Sequence, residues 1–118
     1  MVKEFITKDS GKRQDYDSGM RRDLQEGKPR FDLMEAEDMP YEERLLTRWA
    51  KLMGRGADKY GERNWELSNS EEELKRFKSS LYRHTMQFLA GNTDEDHAAA
   101  IQFNLNAVIT LQYRLKKK

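Results

Sequence analysis

Leu46, Trp49, Met53, Ala57 and Tyr60 recur at intervals of three and four along YEERLLTRWAKLMGRGADKYG, which is the inward stripe of an amphipathic helix. This helix is predicted to open near Pro40, since proline fits a first helical turn, and to stop at Gly61 in a left-handed conformation. A second stripe, Leu74, Phe77, Leu81, His84 and Phe88, follows Ser70 and Glu73, whose spacing makes a capping box; Gly91 ends it. The third stripe runs His97, Ile101, Asn104, Val108, Leu111 and Leu115. Its helix is predicted to open after Thr93, with Asp94, Glu95 and Asp96 in the first turn, where carboxylates favour the exposed amides.

Residues 1–39 hold no comparable period. Gly11, Gly19, Gly27 and Pro29 interrupt a charged stretch that reads as an extended arm, packing on the body or on a partner. Within it GMRRDL is loosely echoed by GKPRFDL, which puts Phe31 and Leu33 where the arm could dock. The expected fold class is therefore all-α: a small bundle of three main helices over residues 40–118 with an extended N-terminal arm. Few positions fall on the stripes for a bundle of this size. A homo-oligomer, at least a dimer, or a wrapping arm would cover the remaining apolar surface.

With 118 residues, the chain can build one modest core. Hydrophobic and charged residues each make up 36%, and 22 Lys and Arg stand against 21 Asp and Glu. That balance supplies no general attraction for polymeric nucleic acid. The tail Lys116, Lys117, Lys118 suits a helix C-terminus equally well. The absence of cysteine excludes disulfides, thiolate catalysis and sulfur-bound zinc. No apolar run is long enough for a bilayer and none reads as a signal peptide, so the expectation is a cytoplasmic protein with no membrane partner.

The informative polar residues lie on the apolar stripes. His84, His97 and Asn104 must each find a partner there or cost several kcal/mol. His97 and Asn104 share a face, with Asp94 a turn before them. Such a row can hold a divalent ion at its acidic end and orient an amide or base at the other, and it can equally be a set of satisfied core residues. Arg83, beside His84, and Lys28 and Arg30 in EGKPRFDL are candidate phosphate contacts. Their plain alternatives are a solvated helix face and a basic arm partnered by Asp32. In GADKYGERNW, Tyr60 and Trp65 offer stacking surface, Lys59 a charge, and Asn64 a donor and acceptor for a base edge; the same segment also reads as a helix cap and turn pinned by Trp65.

Taken in order, SGMRRD, GKPRFDL, GADKYGERNW, YRH, and a His followed seven places later by Asn resemble a small phage-encoded family, the dATP/dGTP diphosphohydrolase N-terminal domain. The resemblance spans residues 11–111, and GKPRFDL and GADKYGERNW are its most specific parts. The matching positions are Gly27, Lys28, Arg30, Asp32, Gly56, Lys59, Tyr60, Gly61, Asn64, Trp65, Arg83, His84, His97 and Asn104. Relatives carry a longer connection before the last helix, and a second His where this chain has Ala100. The broader all-helical pyrophosphatases also use a Glu-Glu-x-x-Glu pattern; here its third carboxylate is replaced by Leu46 in one helix and Lys75 in the next.

The resemblance implies a nucleotide pyrophosphohydrolase, converting a (deoxy)purine nucleoside triphosphate to monophosphate and pyrophosphate with Mg2+, or Mn2+ in its place, in the host cytoplasm if phage-encoded. In that reading Asp94, Asp96 and His97 hold the metal and serve catalysis. Lys28, Arg30, Lys59, Tyr60, Asn64, Trp65, Arg83, His84 and Asn104 bind substrate. Two alternatives keep the same residues without turnover: a nucleotide-binding or sequestering protein, and a structural or regulatory homo-oligomer.

Overall fold

The computed structural model describes residues 5–24 and 26–117. The chain divides into two compact units, Met1–Met34 and Glu35–Lys118.

In the first unit a two-stranded antiparallel hairpin pairs β1 (Arg13–Asp15) with β2 (Arg21–Asp23), Gln14 opposite Arg22. Its turn closes through Tyr16, whose N–H donates to the Met20 carbonyl at 3.0 Å, and uses Gly19 at φ +93°. Opposite charges face across the ladder, Arg21 meeting Asp15 at 2.7 Å. The arm was expected to be extended, and the hairpin is an addition to that reading. The echoed motifs diverge, because Pro29 in the second lacks the N–H a strand needs. Arg21–Asp23 is a strand, whereas Phe31–Leu33 is a 3-10 turn whose Phe31 and Leu33 are exposed.

The second unit is helical: a 3-10 turn at Tyr41–Glu43, α1 (Leu45–Tyr60), a 3-10 turn at Asn64–Leu67, α2 (Glu71–Leu89) and α3 (His97–Lys116). The fold is thus essentially all-α, with three main helices following an N-terminal arm. Among the described residues, no helix is long and apolar enough to cross a membrane. Of the basic tail, Lys116 closes α3 and Lys117 is its C-cap, while Lys118 lies outside the described residues.

Helix boundaries follow the local chemistry, with two shifts from expectation. The α1 helix opens at Leu45 rather than near Pro40, because Arg44 is extended and its guanidinium donates to the carbonyls of Met39 (2.9 Å) and Glu37 (3.2 Å). The Glu35 carboxylate then accepts from the open amide of Leu46 at 3.1 Å. At the other end Gly61 has positive φ, +97°, but an extended ψ; the left-handed helical residue is Arg63, at φ 58° and ψ 21°. The α2 capping box forms as expected: Ser70 Oγ accepts from Glu73 N at 3.2 Å, and Glu73 accepts from Ser70 N at 3.1 Å. The α3 helix opens after Asp96, three residues beyond Thr93, because Asp96 accepts from Ala99 N at 3.1 Å.

The central element is α3, which packs against both α2 and α1. Leu74, Val108 and Leu111 form the core, flanked by Phe77, Leu81 and Leu115. Ala99, Ala100 and Ala107 are also buried, and their small side chains let the neighbouring helices approach α3 closely. Arginines tie both ends of α3. Arg48 of α1 makes a two-point pair with Asp96 (2.7 and 2.9 Å), and Arg114 donates to the carbonyls of Glu66 (2.6 Å) and Ser68 (2.9 Å). Leu46, Tyr60 and Phe88, at the edges of the expected stripes, remain exposed.

Candidate functional site

Antiparallel pairing of α2 and α3 brings His84 against His97. Both are buried, at 7% and 2% exposure, and their Nδ1 atoms lie 2.9 Å apart. Asp94 sits 2.8 Å from His97 Nε2, and an Arg83 guanidinium nitrogen reaches within 3.5 Å of His84 Nε2. These partners assign a direction to the row. Asp94 accepts a hydrogen bond from His97 Nε2–H, so His97 Nδ1 is an acceptor; His84 Nδ1 donates to it, and His84 Nε2 turns its lone pair to Arg83. Burial, then the neighbouring Arg83 charge, lowers the His84 pKa and so favours the neutral ring. The hydrogen bond from His97 holds the Asp94 carboxyl below the usual carboxylate range.

Glu95 completes the cluster. One potential ligand atom from each of His84, Glu95 and His97 lies within 4.8 Å of the others. Glu95 precedes the helix, where the chain is not yet wound, and its carboxylate is exposed and forms no ion pair among the described residues. This His-His-Glu set is a candidate divalent-metal site. Asp96, expected beside Asp94 and His97 as a ligand, instead spends its oxygens on Arg48 and Ala99 N, and the Arg48 bond lowers its pKa.

The cluster borders a cleft of about 590 Å³. Its polar lining includes Arg55, Arg76, Ser80, Glu95, Asp96 and Asn104, and Leu52, Tyr60, Phe77 and Phe103 supply the apolar walls. Arg76 donates to Ser80 at 3.0 Å, and the Asn104 amide donates to the Ala100 carbonyl at 2.8 Å. A second, more apolar cavity of about 220 Å³ adjoins it, sharing Leu52, Tyr60 and Phe103. The remainder of its wall comes largely from GADKYGERNW: Gly56, Ala57, Gly61, Arg63, Asn64 and Trp65. Trp65 stands edge-on to Phe103 with centroids 5.9 Å apart, and Phe77 meets Phe103 likewise at 6.0 Å.

The structure therefore gathers Tyr60, Asn64, Trp65, His84, Asp96 and Asn104 along two connected cavities, with His97 beneath and Asp94 behind it. Lys59 and Arg83 line neither cavity; Lys59 stands 5.5 Å from the Tyr60 ring centroid and Arg83 lies along α2 toward Gln87. Lys28 and Arg30 belong to the first unit, where Lys28 is 3.6 Å from Asp23 and Arg30 pairs with Asp32 at 2.8 Å. Arg55, Arg76, Ser80 and Phe103 are among the lining residues that sequence reasoning passed over. Arg76 and Ser80 had a signal, since they precede His84 by eight and four residues and so share its helix face.

No curated protein and no solved structure matches the chain. A family profile described as dATP/dGTP diphosphohydrolase, N-terminal, matches residues 18–118, nearly the whole sequence, and the chain belongs to that family.

Proposed function

We propose that the protein is a metal-dependent diphosphohydrolase that converts a (deoxy)purine nucleoside triphosphate to monophosphate and pyrophosphate. The observation that carries this reading is the meeting of a His-His-Glu cluster and two arginines on one cleft. His84, Glu95 and His97 would hold the ion and Asp94 would orient His97. A divalent ion bound there would neutralise phosphate oxygens and make a bound water acidic enough to act as nucleophile near neutral pH.

Arg55 and Arg76 border the cleft from α1 and α2 and would draw the polyphosphate toward that end. The adjoining cavity, with Tyr60, Trp65 and Phe103 as walls and Asn64 as a polar edge, would take the base. Water would add to the α-phosphorus and lose a proton to solvent, while the bond from that phosphorus to the bridging oxygen breaks and pyrophosphate leaves with the electron pair. Asp96 and Arg48 act at a remove by fixing where α3 begins.

The test is product chromatography after incubation with deoxy- and ribonucleoside triphosphates and a divalent metal. Monophosphate plus pyrophosphate, with KM raised in Arg55→Ala and Arg76→Ala, supports the reading; diphosphate plus phosphate overturns it. The replacement of two cradle carboxylates by Leu46 and Lys75 favours a second reading, a nucleotide-binding protein without turnover. Intact nucleotide with a raised melting temperature would select it. Self-association is proposed alongside: Leu105, Ile109 and Tyr113 are exposed at four-residue spacing on α3, a face that suits a second copy. Light scattering giving monomer mass at tens of micromolar would remove that part.

A further inference from the structure

Mg2+ takes nearly ideal octahedral oxygen coordination, usually one or two carboxylates and several waters. The cluster offers it a poor set, because two of the three donors are imidazole nitrogens and only Glu95 supplies oxygen. Imidazole suits iron, cobalt, nickel, copper and zinc, and affinity at nitrogen sites rises along the first transition row. The environment points the same way. Asp94, 2.8 Å from His97 Nε2, fixes the tautomer that leaves His97 Nδ1 with its lone pair toward His84.

Spacing narrows the choice further. The two Nδ1 atoms are 2.9 Å apart. Two ligands each ~2.1 Å from an ion subtend about 90° at that separation, the cis angle of an octahedron, whereas a tetrahedral angle would set them ~3.4 Å apart. Both rings must turn from their mutual hydrogen bond to face a shared ion, and the nitrogens would part less for an octahedral ion than for tetrahedral Zn2+.

We propose that His84, Glu95 and His97 form a nitrogen-rich metal site that selects an octahedral first-row transition ion, Mn2+, Co2+ or Ni2+, over Mg2+. This rests on the cluster being the metal site of the proposed function, but not on turnover. Of the two ions expected from the sequence, Mn2+ suits the set better than Mg2+ but binds nitrogen more weakly than Co2+ or Ni2+. Occupation requires His84 to move its proton from Nδ1 to Nε2. Nε2 then points an N–H where Arg83 now stands, so the exposed Arg83 side chain swings away.

The composition makes the test clean. The chain has only two histidines, both in this cluster, and no cysteine, so untagged protein has no other imidazole or thiolate to bind a transition ion. Chelator-treated protein is titrated with MgCl2, MnCl2, CoCl2 and NiCl2 alone, following melting temperature, calorimetric heat and the visible spectrum of Co2+. The expected result is binding of Co2+ and Ni2+ at least about 100-fold tighter than Mg2+, with Mn2+ between, and a Co2+ spectrum that shows nitrogen ligation. The exposed Glu95→Gln, which leaves the histidine pair intact, is expected to melt normally without metal and to weaken Co2+ at least about tenfold. His84→Ala is expected to weaken Co2+ binding at least as much; should it fail to fold, Glu95→Gln and the Co2+ spectrum still decide.

Equal affinity for Mg2+ and Co2+, an all-oxygen Co2+ spectrum, or unchanged binding in Glu95→Gln overturns the proposal. The nucleotide assay fails separately. Hydrolysis with Mg2+ and no transition-ion binding leaves the activity standing and removes the selectivity; transition-ion binding without hydrolysis does the reverse.

Discussion

His84 and His97 face each other through their Nδ1 atoms at 2.9 Å, one ring donating and the other accepting. Each depends on the other, since both rings are buried and the cluster is their only described source of partners. Replacing His84 by Phe leaves the His97 Nδ1 lone pair buried without a donor, a loss of about 1–3 kcal/mol. Urea denaturation of metal-free protein measures it, and unchanged stability would show that water reaches His97 readily.

Asp96 joins two roles, N-cap of α3 and partner of Arg48. Asp96→Ala is expected to lower stability by about 1–2 kcal/mol, mostly through the lost cap. Arg48→Ala should cost less, because the cap survives. The reverse order in denaturant midpoints would mean that the pair, not the cap, fixes the start of α3.

Arg114 supports the wall of the apolar cavity from behind, holding the Glu66 and Ser68 carbonyls of the segment that carries Trp65. In an Arg114→Ala variant the turn loses both bonds, and Trp65 emission should shift toward the red. The measurement needs a Trp49→Phe background, since the chain has two tryptophans. An unshifted spectrum would show that the contact between Trp65 and Phe103 holds the turn without Arg114.

In the first unit, a hydrogen bond from Arg13 and a second from the Gly11 N–H lower the Asp9 pKa from 3.8 to about 2. A depressed carboxyl contributes stability that is fully present above its unfolded pKa and lost as pH falls through the folded one. The contribution of this pair to local order is therefore full above pH 3.8, declines progressively below it and is gone near pH 2. A carbon-detected NMR titration should place Asp9 there and return it toward 3.8 in Arg13→Ala; an ordinary midpoint in both proteins would contradict the pairing.

Three helices were legible in the sequence because each carries its own stripe, and the Ser70–Glu73 box because it is complete within four residues. The start of α3 was not, since Thr93 and Asp96 are both good caps and Arg48, far away in the chain, favours the second. The hairpin was hidden because Arg13–Asp15 and Arg21–Asp23 carry no apolar alternation. Likewise, His84, His97 and Asn104 stood out as polar residues on apolar stripes; His84 and Asn104 line one cleft, and His97 lies against His84. Arg55 and Arg76 looked like any solvated charge, and only the packing of α1, α2 and α3 sets them and Glu95 round a common space.

The tie between Arg48 and Asp96, like that between Arg114 and Glu66, spans 48 positions of sequence. The contacts of α2 with α3 close a much shorter loop, so that hairpin is expected to form first and α1 to join it last, after a slower search. Because α1 supplies Leu52, Arg55 and Tyr60, the cleft comes into being only at that final docking step. The reverse excursion, α1 lifting from an intact hairpin, would open the site without global unfolding. Hydrogen exchange should then find α1 amides trading protons ahead of those in α2 and α3, and uniform exchange across the three helices would mean that the site and the fold are lost together.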